Sequence, residues 1–172
     1  DEVLWGFDTL YKNNCLVVCV TCGKNKIREK EIEKVVKSTN DKLISLGYTD
    51  KFLHHRSRWF ISNRQIKKDL NTIINLKGWK GIITHNRDGE YGHVHHKMVH
   101  NMVKDYKTQP VRYFGKYYSK NKMEKMDFNS IKKYKLDDEV IRKKEETLKI
   151  YKSQKKVRDM FKHMVPYENI SF

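Results

Sequence analysis

The feature that most restricts this chain is the run Gly81-Ile-Ile-Thr-His85-Asn-Arg-Asp-Gly-Glu-Tyr-Gly-His93-Val-His95-His96-Lys-Met-Val-His100. Two apolar-rich stretches, residues 79–86 and 91–99, flank the turn signal Asp88-Gly89, and the pattern predicts a β-hairpin. On a strand, residues i and i+2 share a face. His93 and His95 then project together while Val94 faces away. A three-residue loop, Asp88-Gly89-Glu90, pairs His85 with His93 and puts all three imidazoles on one side; a two-residue loop turns His85 away. Imidazoles grouped in this way can chelate a divalent ion. Structural zinc sites usually use cysteines in a closed set of four, so three imidazoles without a nearby thiolate fit a catalytic ion better. A His-rich surface hairpin without metal is the plainer alternative.

Charge narrows the partner. Lys and Arg number 37 against 21 Asp and Glu, a formal net charge of +16. Such an excess favours a polyanionic partner through counterion release; a solvated Lys-rich surface is the competing reading. The length suits one domain, and a start at Asp1 rather than Met leads us to expect a piece of a longer protein. Cys15, Cys19 and Cys22 are odd in number and follow no secretory signal, which implies reduced thiols in the cytosol or nucleus. Cys19-x-x-Cys22 lacks a second cysteine pair for zinc, and the segment reads as a buried strand in which cysteine acts as a small apolar residue. No apolar run approaches the roughly 18 residues of a membrane span, so no membrane partner is expected. No GxxxxGK[ST] loop occurs, which removes an ATPase of that type.

Elsewhere the pattern predicts a strand over 14–22, a helix over 26–46 closed by Gly47, a strand over 56–62 and a helix over 64–76 capped by Asn63. Residues 111–119 read as a strand or a short helix. The expected architecture is α+β, a central antiparallel sheet of four to five strands flanked by helices. It forms a single domain over 1–172, with a long charged C-terminal helix at about 137–164.

The Asp-Gly turn followed by His93-Val-His95 resembles the second motif of the HUH endonucleases, the replication initiators of rolling-circle plasmids, circoviruses, geminiviruses and parvoviruses. The apolar strand Leu16-Val-Val-Cys-Val-Thr21 sits where that family has its first motif. Residues 81–96 are most similar to the large non-structural protein of insect parvoviruses, the densoviruses. The resemblance covers roughly residues 14–100, and its specific part is 81–96. It implies the HUH/Rep nuclease fold and a Mg2+ or Mn2+ ion held by the two histidines and a third ligand. That ligand is usually Glu, where this chain has His85; three neutral ligands shift preference toward softer ions such as Mn2+. Glu90, placed in the turn, is the less favoured ligand.

The same resemblance implies that a tyrosine attacks a scissile phosphate. The product is a covalent 5′-phosphotyrosine and a free 3′-hydroxyl for rolling-circle or rolling-hairpin replication, with a lysine one helical turn away aiding ionisation. Tyr151 with Lys155 is the favoured pair, because the family places a further element between the histidines and the tyrosine helix. Tyr117 and Tyr118, with Lys120 and Lys122, remain alternates. Arg56, Arg58, Trp59 and Lys116 are the candidates for holding DNA. The implied partners are viral origin DNA, single-stranded at the nick and duplex at flanking repeats, and a linked helicase domain, in the host nucleus. Competing functions are a non-catalytic basic nucleic-acid-binding module, a metal-dependent nuclease using water, and a structural zinc protein.

Overall fold

The computed structural model describes residues 1–52 and 55–171, which divide into two compact units. One comprises residues 1–47 with 118–169; the other comprises residues 48–117 with the strand Ile170–Ser171.

In the first unit the helix Glu2–Lys12 buries Val3, Leu4, Trp5, Phe7 and Leu10. The Trp5 ring meets Phe161 edge-on, with centroids 5.5 Å apart. Leu16–Cys19 and Lys42–Ser45 form a parallel pair with Leu16 opposite Lys42. Parallel strands need a crossover, and the helix Lys26–Ser38 supplies it, burying Ile32, Val35 and Val36. The expected helix over 26–46 therefore stops early. Asn40 takes a positive φ of 59°, and Asp41 accepts from the Thr39 hydroxyl at 2.6 Å and the Cys15 N–H at 2.7 Å. These bonds turn the chain and tie the new strand to its neighbour, so Leu43 and Ile44 belong to a strand.

The expected helix over 137–164 is also divided, into Asp138–Leu148 and Lys155–Phe161. The Glu31 carboxylate accepts the Ser153 N–H at 2.7 Å and its hydroxyl at 2.6 Å, giving the intervening backbone a partner outside the helical ladder. Nearby, Lys144 is fully buried and its ammonium donates to Glu168 at 2.7 Å. Glu168 also accepts the backbone N–H groups of Phe7 and Asp8, at 2.7 and 3.0 Å. A buried ammonium is tolerated because a hydrogen-bonded carboxylate faces it.

In the second unit Ile82–Thr84 runs parallel to Val111–Phe114, which pairs antiparallel with Ile170–Ser171. The helix Val94–Val103 lies between the first two in sequence and is their crossover. The second strand of the expected hairpin is thus a helix. The residues after Thr84 explain why: Gly89, Glu90 and Gly92 all adopt positive φ, at 66°, 55° and 95°, which redirects the chain rather than returning it in register. Lys51–Phe52 and His55–Arg56 form a short antiparallel pair. The strand expected over 56–62 ends there, since Trp59 has φ 50°. The helix Asn63–Ile74 buries Ile66, Leu70 and Ile74.

Sheets of two, two and three strands, two of the pairings parallel, replace the central antiparallel sheet among the described residues. No helix among them is long and apolar enough to cross a membrane.

Candidate metal centre

The centre is built in the second unit where Ile82–Thr84 ends. His85 follows that strand directly, and Asn86 anchors the next turn. The Asn86 side-chain oxygen accepts the N–H groups of Asp88 and Glu90, at 2.9 and 3.1 Å. Its amide nitrogen donates to the carbonyls of Phe114 and Gly115, at 2.9 and 3.1 Å. One side chain therefore shapes the turn and pins it to the adjoining strand. This anchoring holds Glu90 in a backbone conformation that non-glycine residues rarely adopt.

Glu90 is 2% exposed. Its Oε1 accepts the Asn86 N–H at 2.9 Å. Its Oε2 bonds the Nδ1 of His85 at 3.0 Å and also the Nδ1 of His96. The two imidazoles stack, with centroids 3.8 Å apart and planes 13° apart, and their ring nitrogens lie within 4.8 Å of one another. Burial alone would raise the Glu90 carboxyl, but the hydrogen bonds from His85 and His96 outweigh it and hold the group at about 2. Burial lowers His85 to about 4, with Glu90 pulling the other way. Burial also lowers His96. The stable arrangement at neutral pH is an ionised carboxylate accepting two Nδ1–H groups. Each ring then carries its lone pair on Nε2, the tautomer that ligates metal.

His93 caps the helix Val94–Val103 and lies beside His96, centroids 4.2 Å apart. Its buried Nδ1 has no hydrogen-bond partner. A buried ring nitrogen without a partner is uncommon and costly, and a ligand at this position would satisfy it. Burial, with the neighbouring His96 and Arg56 charges, lowers His93 to about 3. A carboxylate-anchored pair of imidazoles beside a third, unsatisfied one is a donor set suited to a divalent metal ion.

The structure rearranges the expected triad of His85, His93 and His95. His95 points elsewhere: its Nε2 lies 2.5 Å from the Ser57 carbonyl and its Nδ1 lies 3.5 Å from Asp50. Its ring stacks on Trp59 with centroids 4.0 Å apart. His96 takes the place expected for His95, because on a helix residues three apart share a face. His93, His96 and His100 follow that spacing, and the His100 Nδ1 meets the His85 carbonyl at 3.0 Å. His96 and Asn86 are the residues the sequence reading missed, and Glu90, set aside there as the less favoured ligand, is the carboxylate that orients the rings. The signal for the histidines was present as i, i+3, i+7 periodicity.

Among the remaining candidates, Arg56, Arg58, Trp59, Lys116 and Tyr117 belong to the second unit, whereas Tyr118, Lys120, Lys122, Tyr151 and Lys155 belong to the first. Tyr151 lies in the first unit, its hydroxyl donating to Glu2. Burial and then the Glu2 charge push its phenol up, the opposite of an activated nucleophile. Lys155 pairs with Asp159 at 2.5 Å on the surface. Tyr118 offers its carbonyl to His163 at 2.8 Å and its ring to Lys122, whose ammonium is 5.3 Å from the centroid. Tyr117 donates its N–H to the Glu90 carbonyl at 3.3 Å. Lys120 lies 3.9 Å from Glu124. Arg56 pairs with Asp50, and Lys116 lies 3.4 Å from Asp88. Trp59 is buried, so it presents no face to a base, whereas Arg58 is exposed.

The fold and site define a protein with a carboxylate-anchored histidine centre. Residues 9–107, more than half of the chain, match the family described as PIG-L: GlcNAc-PI de-N-acetylase, and the chain belongs to that family. Its enzymes are metal-dependent. Uncharacterized protein L374 of Acanthamoeba polyphaga mimivirus is 28% identical over 138 residues, covering 70% of this chain. The chain spans 59% of that relative's length. No solved structure matches.

Family membership overturns the HUH reading. The fold is not the HUH/Rep nuclease fold, and the assignment as a viral origin nickase forming a phosphotyrosine link falls with it. The family's description as a de-N-acetylase agrees with the expectation of an enzyme and not with a DNA endonuclease.

Proposed function

We propose that this protein is a metal-dependent hydrolase that cleaves the N-acetyl amide of an amino-sugar substrate, releasing acetate and a free amine. Membership of the GlcNAc-PI de-N-acetylase family supplies the reaction class. The observation that carries the reading is the pair of Nδ1 contacts from His85 and His96 to one Glu90 oxygen.

His85 and His96 would hold the ion through Nε2, with His93 next to them. Bound there, a divalent ion supplies Lewis-acid polarisation of the amide carbonyl and a more acidic water. Imidazole donors favour zinc over Mg2+, which prefers oxygen ligands, so zinc is the proposed ion rather than Mg2+ or Mn2+. Glu90 keeps both rings in the ligating tautomer and supplies negative charge behind them. His93, neutral and with its buried Nδ1 unsatisfied, would complete the donor set.

The test is hydrolysis of N-acetylglucosaminyl substrates, read as free amine by an amine-reactive fluorophore, with the protein loaded with zinc and then stripped by chelator. Amine release that requires metal supports the reading. A metal-loaded, folded protein that releases no amine from any N-acetylated amino sugar overturns it.

A further inference from the structure

Phe60 and Ile61 are 83% and 97% exposed. Single exposed apolar residues are ordinary; two adjacent ones on a fixed turn are not. The turn is fixed by Trp59. Its ring is 3% exposed and stacked on His95, its Nε1 donates to the Thr49 carbonyl at 2.8 Å, and its φ is 50°. With Trp59 anchored inward, the next two side chains are carried outward. Exposed Arg58 precedes them, and exposed Arg64, Lys67 and Lys68 follow on the first turns of the helix Asn63–Ile74. Residues 64, 67 and 68 share one helical face.

We propose that this tip docks the protein on an anionic lipid surface, with Phe60 and Ile61 entering the headgroup–acyl boundary and the flanking cations lying against the headgroups. A bilayer interface accepts a small apolar tip ringed by positive charge. A stable protein interface needs about 800 Å² from each partner, more than two side chains provide. The net charge of +16 adds attraction to a negative surface. The tip and the histidine centre belong to one structural unit. The inference holds whichever reaction the centre performs.

Sedimentation with phosphatidylcholine vesicles, with and without phosphatidylserine, tests it. The wild-type chain is expected to bind the anionic vesicles and to bind neutral ones far more weakly. Phe60→Ser with Ile61→Ser is expected to lower anionic-vesicle binding by about tenfold or more, since each side chain stands to lose a transfer energy comparable to a factor of ten. Arg58→Gln with Arg64→Gln is expected to reduce binding and its salt sensitivity. Both positions of the apolar variant lie outside the core, so its melting temperature should match wild type. Wild type that ignores anionic vesicles overturns the proposal. So does a Ser variant that binds as wild type, which would mean that net charge alone drives adsorption. Concentration-dependent self-association lost in the Ser variant, without vesicle binding, would assign the tip to a second copy of the chain and also overturn it.

Discussion

Glu90 Oε2 bonds the Nδ1 of His96, while the other oxygen of the same carboxylate is held by the Asn86 N–H at 2.9 Å. The carboxylate cannot turn away from the imidazole without giving up its bond from the Asn86 N–H. Since His85 shares the same Oε2 at 3.0 Å, one acidic side chain orients two rings.

Glu90→Gln keeps the shape but removes the charge that both Nδ1–H groups require. Loss of such an outer partner typically costs about 10–100-fold in metal affinity. Chelator competition should show a loss of that size with unchanged circular dichroism. Wild-type affinity in this variant would mean that Glu90 does not set the tautomers of His85 and His96.

Gly89→Ala separates backbone strain from crowding at the same turn. Gly89 has φ 66°, and a Cβ there would meet the Lys97 Cγ at 3.0 Å and the His96 Cβ at 3.3 Å. Gly92 has φ 95°, and an added Cβ would meet nothing within 4 Å. Each alanine variant should lose about 1–3 kcal/mol of stability from conformation alone. Gly89→Ala should also weaken metal binding, because its Cβ presses on His96. Equal metal affinity in the two variants would show that the added methyl is absorbed by Lys97.

The histidines were legible in the sequence as chemistry and misread as geometry. His93-x-His95 fits a strand, whereas His93, His96 and His100 fit a helix, and the Asp88-Gly89 turn signal favoured the strand. The backbone decided otherwise because Glu90 sits at positive φ inside a turn held by Asn86, a long-range arrangement that depends on the carbonyls of Phe114 and Gly115. The 26–46 segment failed for a related reason. Leu43 and Ile44 continue a plausible helical spacing, and only the pairing with Val17 and Val18 makes them a strand. Helix Asn63–Ile74, whose buried face depends on local spacing alone, was readable almost to its ends. The Asn63 cap was not, since Asn63 lies within the helix and Ser62 precedes it.

Tyr151→Phe tests whether this hydroxyl is structural. The phenol is bonded to Glu2 and packs against the cluster of Cys22, Ile32 and Val36. Removing the hydroxyl leaves the Glu2 carboxylate short of a donor, a cost of about 1–3 kcal/mol. Urea unfolding should show that loss, with metal content unchanged. A variant as stable as wild type but inactive toward substrate would instead give this tyrosine a chemical role.

Acid should destabilise the metal-free protein in a defined window. His85 and His93 are held down to about 4 and about 3, while an unfolded histidine titrates near 6.5. Between those values the unfolded chain binds more protons than the folded one, so stability falls as pH falls. The sign is that of a depressed base: the full contribution is present above about 6.5 and is lost progressively on the way down to about 4. Glu90, held at about 2, acts in the same direction at lower pH, below its ordinary carboxyl range. The urea midpoint of chelator-treated protein should therefore drop between pH 7 and pH 4.5, and replacing His85 and His93 by Asn should flatten the profile across that interval. A midpoint independent of pH in the wild-type chain would mean that these imidazoles are solvated in the metal-free state and that the buried centre forms only when the ion binds.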